Sequence, residues 1–68
     1  MRFGENFKKI RLETHMSQKE VAEKLEICQS NISDWENDIS RPEYEKLIQL
    51  AKIYGVSLYE LLGIDENF

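Results

Sequence analysis

Nowhere in this chain do β-branched residues fall into an alternating run of strand length, and one proline and three glycines leave few places where a helix must break. An all-α fold is the only class that fits such a string. Phe3, Phe7 and Ile10 recur at spacings of four and three, on one face of a first helix over about 4–14. Ser17 with Glu20 three residues later has the pattern of a capping box, in which a hydroxyl and a carboxylate satisfy two orphan backbone N–H groups. A second helix starts there, with Val21, Ala22 and Leu25 as its apolar stripe. The segment 29–36 then carries Ile32 and Trp35 on a dry side and Gln29, Ser30, Ser33 and Asp34 on a wet, hydrogen-bonding side. Pro42 with Glu43 predicts the entry of a fourth helix, proline at its first position and acid in its first turn. Leu47, Leu50, Ala51 and Tyr54 supply its face, and Gly55 falls where a left-handed C-cap belongs. Ser57 and Glu60 repeat the capping-box pair ahead of Leu58, Leu61 and Leu62, a fifth helix ending at Gly63.

Size restricts what such a bundle can do. A chain of 68 residues, read as one domain over 1–68, buries only about 60% of the surface its unfolded form exposes. A substrate pocket of roughly 300 Å³ would take side chains that this thin core needs, so the enzyme classes recede and a binding module is expected. With 41% hydrophobic and 32% charged residues the chain is apolar enough to fold. No apolar run reaches the roughly 18 residues of a membrane span and the opening residues lack a signal-peptide core, so a cytoplasmic protein is expected. The single cysteine, Cys28, excludes an internal disulfide, and His15 alone supplies no ligand set for zinc. Neither a metal, nor a cofactor, nor a catalytic set is indicated. A net charge of −4 does not by itself announce a nucleic-acid partner. It is unevenly spread: residues 1–41 hold seven basic and eight acidic side chains, residues 42–68 two and five.

The second and third helices, 17–25 and 28–36, are joined by a turn of about three residues, with small Ala22 where they would cross. That is a helix-turn-helix unit over 17–36, an arrangement whose second helix enters the major groove of DNA. The run Ile10-Arg11, Ser17-Gln18-Lys19-Glu20-Val21-Ala22, Leu25, Ile27, Ile32-Ser33, Trp35-Glu36-Asn37, Arg41-Pro42, Leu47, Leu50-Ala51, Gly55-Val56-Ser57 and Leu61-Leu62 resembles the Cro and cI repressor type of helix-turn-helix domain, the XRE family. The resemblance covers residues 3–63, and its Ser-Gln opening, Trp-Glu-Asn ending and Arg-Pro loop occur in the family's order and spacing.

The resemblance implies a five-helix, lambda-repressor-like domain that binds double-stranded DNA as a homodimer on a two-fold symmetric operator, as a transcriptional regulator and foremost a repressor. Gln29, Ser30, Ser33 and Asp34 match its groove-facing positions. By their chemistry, glutamine can bond adenine N6 and N7 together, serine can bond either base type, and aspartate can only accept, from a donor such as cytosine N4. Gln18 matches a glutamine that meets a phosphate and braces the recognition helix; Asn37 and Arg41 match phosphate contacts, and Lys19 is a further candidate. Arg11 and Glu36 match a structural ion pair between the first and third helices.

Plainer readings stand beside these. The wet side of 29–36 is also what an ordinary solvated helix looks like, and a protein-binding adaptor that kept the fold without DNA binding is the alternative function. Asp34, an anion facing phosphates, is the position that fits DNA least. Trp35 reads as core rather than a stacking surface, His15 as a solvated loop residue, and Cys28 as a poor N-cap where the family has Ser or Thr. Leu62, Ile64 and Phe68 form an apolar tail without an evident internal partner; the family implies dimerisation through this last helix and tail, 57–68. Glu26 stands where the family has glycine, so it is expected in the left-handed region at some steric cost. Aspartate tolerates that region better, and Asp38 is expected to gain less than Glu26 from replacement by glycine.

Overall fold

In the computed structural model, which describes residues 2–64, the apolar stripes converge on one core. They are carried by α1 (Gly4–Glu13), α2 (Gln18–Leu25), α3 (Gln29–Glu36), α4 (Tyr44–Tyr54) and α5 (Leu58–Leu62). Phe7 and Ile10 of α1, Val21, Ala22 and Leu25 of α2, Ile32 and Trp35 of α3, Leu50, Ala51 and Tyr54 of α4, and Leu61 of α5 are buried together. Packing follows a closed ring in which α1 meets α3 and α5, α2 meets α3 and α4, and α4 meets α5. Each helix therefore covers its apolar face against two neighbours, which is how segments of five to eleven residues, marginal alone, hold their shape.

The helix ends show where local sequence sufficed and where tertiary structure took over. At α2 the capping box is complete: Ser17 Oγ accepts from the Glu20 N–H at 3.0 Å and Glu20 Oε1 from the Ser17 N–H at 3.1 Å. At α5 it closes on one side, with Ser57 Oγ accepting from the Glu60 N–H at 3.0 Å. Pro42 is not the first residue of α4. It precedes Glu43, an extended N-cap with ψ 168°, and the acid of the first turn is Glu45. Gly55 and Gly63 end α4 and α5 in the left-handed region, at φ 69° and 70°.

α1 opens without a capping side chain of its own. The cap comes from Asp38, just beyond α3, whose Oδ1 accepts from the N–H groups of Phe3 at 3.0 Å and Gly4 at 2.9 Å. Gly4 permits this approach, because a Cβ there would collide with the Glu36 carbonyl. Those two N–H groups hold the Asp38 carboxyl below its ordinary range, Gly4 most strongly, with Arg2 3.6 Å away adding to it. Asp38 does sit at φ 59°, but it carries this cap, so its replacement by glycine is no mild counterpart to the one at Glu26. At the other end of the ring, Asn6 Nδ2 donates to the carbonyls of Glu60 and Leu61, both at 2.7 Å, and pins the close of α5 to α1.

Candidate nucleic-acid interface

The turn between α2 and α3 requires one left-handed residue, and Glu26 supplies it at φ 58°, ψ 43°. Ile27 N–H then returns to the Ala22 carbonyl at 3.0 Å, and half-buried Ile27 packs on the core, fixing the angle at which α3 leaves. Ala22 is buried at the crossing, as its size suggested. α3 starts at Cys28, an exposed N-cap whose side chain makes no capping bond. With Ile32, Trp35 and Glu36 buried behind it, the helix presents Gln29, Ser30 and Asn31 fully exposed and Ser33 and Asp34 half-exposed. The four residues matched to base contacts thus lie on one accessible helix, the first two reaching furthest out.

The back of α3 is tied down by charge. Arg11 Nε donates to Glu36 Oε2 at 2.6 Å and its Nη2 to Oε1 at 3.1 Å, while Nη1 donates to the Met16 carbonyl at 2.9 Å. The two side chains are 8% and 3% exposed, so the pair is buried and fully hydrogen-bonded, the condition under which a desolvated ion pair is tolerated. The hydrogen bonding of its guanidinium to Glu36 raises the Arg11 pKa above its ordinary value despite burial. Burial, then the Glu36 charge, pushes the neighbouring Tyr54 phenol up to about 12. Both groups are therefore locked in one protonation state across the physiological range.

The phosphate candidates are placed differently from one another. Gln18 is half-buried: its Nε2 donates to Glu36 Oε1 at 3.0 Å and its Oε1 accepts from Gln29 Nε2 at 3.4 Å, leaving a second N–H for a phosphate. Lys19 is exposed at the start of α2. Arg41 is exposed, with its guanidinium carbon 5.5 Å from the centre of the Phe3 ring. Asn37 is occupied, since its Nδ2 donates to the Ser33 carbonyl at 2.9 Å and to Ser33 Oγ at 3.3 Å, closing α3 from within. To reach a phosphate, its amide must first leave Ser33.

The apolar tail needs correction. Leu62 does have an internal partner: it is half-buried and packs on the domain's own core beside Phe3 and Leu47. Ile64 is half-buried and its N–H donates to the Tyr59 carbonyl at 2.9 Å, whereas Phe68 lies outside the described residues. The exposed apolar side chains of α5 are instead Leu58 and Tyr59. Sequence reasoning missed the Asp38 cap and the Asn6 clamp, which join residues 34 to 55 positions apart and leave no periodic signal.

Among the described residues no group of His, Cys, Asp and Glu could hold a metal ion, and no helix is long and apolar enough to cross a membrane. The family model described as helix-turn-helix matches residues 7–61. The chain is 41% identical over 66 residues to the HTH-type transcriptional regulator ImmR of Bacillus subtilis, covering 97% of this chain and 52% of that protein. It is 32% identical to the HTH-type transcriptional activator BcrR of Enterococcus faecalis, over 97% of this chain and 32% of that one. The Cryptic phage CTXphi transcriptional repressor RstR of Vibrio cholerae is 30% identical over 96% of this chain and 59% of its own length. A crystal structure of a transcriptional regulator from Listeria innocua superposes with a TM-score of 0.84 at 28% identity, covering 94% of this chain and 60% of the other. The chain thus spans between about a third and six-tenths of the length of these relatives, and all of them are named as regulators rather than enzymes. With an α2-turn-α3 unit held as described and the match running from within the first helix into the last, the chain belongs to the XRE-type helix-turn-helix family.

Proposed function

We propose that the chain binds double-stranded DNA by sequence, as a cytoplasmic homodimer on a two-fold symmetric operator, and acts as a transcriptional repressor. The observation that carries the reading is the wet face of α3, held outward by a helix whose back is buried through Ile32, Trp35 and Glu36. Gln29, Ser30, Ser33 and Asp34 meet base edges in the major groove. Gln18, Lys19 and Arg41 contact phosphates, joined by Asn37 when its amide exchanges Ser33 for the backbone. Half-exposed Asp34 can only accept, so it selects a base-edge donor such as cytosine N4.

A single helix-turn-helix footprint is small, and two copies related by a two-fold axis place their recognition helices about 34 Å apart, one turn of DNA. The facing surface is drawn from the last helix and its tail: exposed Leu58 and Tyr59, the accessible parts of half-buried Leu62 and Ile64 and, further along the sequence, Phe68. Repression needs nothing beyond occupancy of a promoter, whereas activation needs an added contact to the transcription machinery. Of the relatives above, one is named an activator and one a repressor, so direction is tested rather than inherited.

Selection of bound duplexes from a random-sequence pool tests the function. The expected result is a palindromic site with half-sites one turn apart, and a reporter carrying that site that falls when the protein is expressed. Binding that enriches no sequence would overturn the reading, and a reporter that rises would overturn the repressor part.

A further inference from the structure

The N-terminal segment and the loop that leaves the recognition helix are built against each other. Asp38 Oδ1 accepts from the N–H groups of Phe3 at 3.0 Å and Gly4 at 2.9 Å, which ties the backbone of residue 3 to residue 38. The Phe3 side chain is half-buried and packs on the core, its ring 6.5 Å from that of Phe7. Three residues past Asp38 the chain brings Arg41 over this ring, its guanidinium carbon 5.5 Å from the centroid. That is within the roughly 6 Å at which a cation is drawn to an aromatic face. We propose that Phe3 is a positioning residue for the DNA backbone contact of Arg41, its ring holding the guanidinium in place before a phosphate arrives. This rests on the DNA-binding reading above and adds to it how one of the phosphate contacts is prepared.

A long side chain loses rotamer freedom when a partner immobilises it, and that loss subtracts from affinity. Arg41 meets the loss in two stages before any DNA is present. Pro42 follows it, and a residue before proline is kept out of the helical region, so its backbone is confined to extended conformations. The side-chain torsions remain, and the Phe3 ring restricts those. The ring can act as a platform because it is itself fixed, by Asp38 through its backbone and by the core through its side chain.

An aromatic ring suits this task where a carboxylate would not. A carboxylate in the place of Phe3 would accept from the guanidinium N–H groups and cancel the charge that draws a phosphate. The ring attracts a cation through its quadrupole and carries no net charge of its own. It engages the flat face of a guanidinium, whereas phosphate oxygens are met by N–H groups along the edge, so one guanidinium can serve both at once. A platform can pre-order a side chain only by as much as it attracts it. An exposed cation–π contact therefore sets the scale of the effect, about two- to fivefold in affinity for each protomer.

The experiment measures binding to duplex DNA by wild type, Phe3→Leu, Phe3→Tyr, Arg41→Ala and the double variant of Phe3→Leu with Arg41→Ala, each first confirmed folded by circular dichroism. Phe3→Leu keeps an apolar side chain and removes the ring, and it is expected to weaken binding about two- to fivefold per protomer on every sequence alike. Phe3→Tyr keeps the ring and is expected to bind as wild type does. In the Arg41→Ala background, Phe3→Leu is expected to cost nothing further, a dependence that a packing role for Phe3 would not produce. An equal loss in both backgrounds overturns the positioning role while the DNA reading stands. Arg41→Ala that binds as wild type does, with the same salt slope, overturns the phosphate contact and the role of Phe3 with it. Should Phe3→Leu not fold, proton NMR of the wild-type chain decides. The Arg41 side-chain protons are expected upfield of those of a random-coil arginine, shifted by the ring current of Phe3, and unshifted protons overturn the proposal.

Discussion

Replacing Glu26 by glycine measures how much strain the recognition turn carries. Glu26 holds φ 58°, ψ 43° with an exposed side chain, so no core contact complicates the substitution. A Cβ in the left-handed region costs roughly 1–2 kcal/mol. Glycine removes that cost and brings a larger unfolded-state entropy, worth about 0.4–1 kcal/mol in the opposite sense. The difference runs from about 0 to 1.6 kcal/mol, a gain of about 1 kcal/mol near the middle of both ranges. For a domain of 60 to 100 residues a gain of about 1 kcal/mol raises Tm by about 4–8 °C. Urea and thermal unfolding followed by the fluorescence of buried Trp35 would resolve a shift of half that size. A loss of about 1 kcal/mol, the cost of glycine inside a helix, would refute the reasoning, since it would mean that residue 26 is helical in solution and the turn lies elsewhere.

Four other outcomes are expected. Lys19→Ala and Arg41→Ala should each weaken binding to every duplex alike and lower the salt slope by about one unit, and an unchanged slope in titrations against salt removes that residue from the backbone set. Gln29→Ala should cost about 1–3 kcal/mol at one base pair of each half-site and nothing on random DNA, measured by competition binding. Leu58→Glu with Tyr59→Glu, both on exposed positions, should give a folded monomer with weak operator binding, checked by sedimentation at tens of micromolar. Asp38 has a carboxyl held below its unfolded value, so its contribution is present above about pH 4 and lost as pH falls through the folded value; Asp38→Asn should flatten the acid limb of a stability profile.

Why some of this was legible in the sequence and some not follows from the range of the forces involved. A capping box spans four residues and an apolar stripe repeats within one turn, so the start of α2 and the buried faces of α2 and α3 follow from local chemistry. α4 starts two residues later than Pro42 suggests, because the chain passes through an extended Glu43 before it turns helical. α1 has no local start signal at all; its cap, Asp38, is 34 to 35 residues away and is reached only after α3 has folded back. Leu62 looked unpartnered for the same reason, since Phe3, just before α1, and Leu47 of α4, which line the same hollow, are distant in sequence. The wet face of α3 could be read from its period, but the order of hydrogen bonds behind it could not, because the direction of an amide is set by partners from other elements.

The acidic balance of the chain looks different once the internal uses of charge are counted. Arg11 and Glu36 neutralise each other inside the protein, and the Asp38 carboxylate faces the N-terminal N–H groups of α1. Setting Arg11 aside from the seven basic residues of 1–41, and Glu36 and Asp38 from the eight acidic ones, leaves that half balanced at six of each. Glu20 is further committed to the start of α2, where it faces backbone donors. No strong positive field is left to draw the protein onto DNA of any sequence, so non-specific affinity should be low, with a salt slope as shallow as the few cations that reach the backbone allow. Discrimination then has to come from directed hydrogen bonds at a few fixed atoms, and directed bonds are worth most when the groups that make them cannot turn. A buried ion pair is an expensive way to stabilise a small core that apolar side chains of similar volume would serve as well or better. Here it joins α1 to the back of α3, with no buried side-chain polar atom left unpartnered among the described residues.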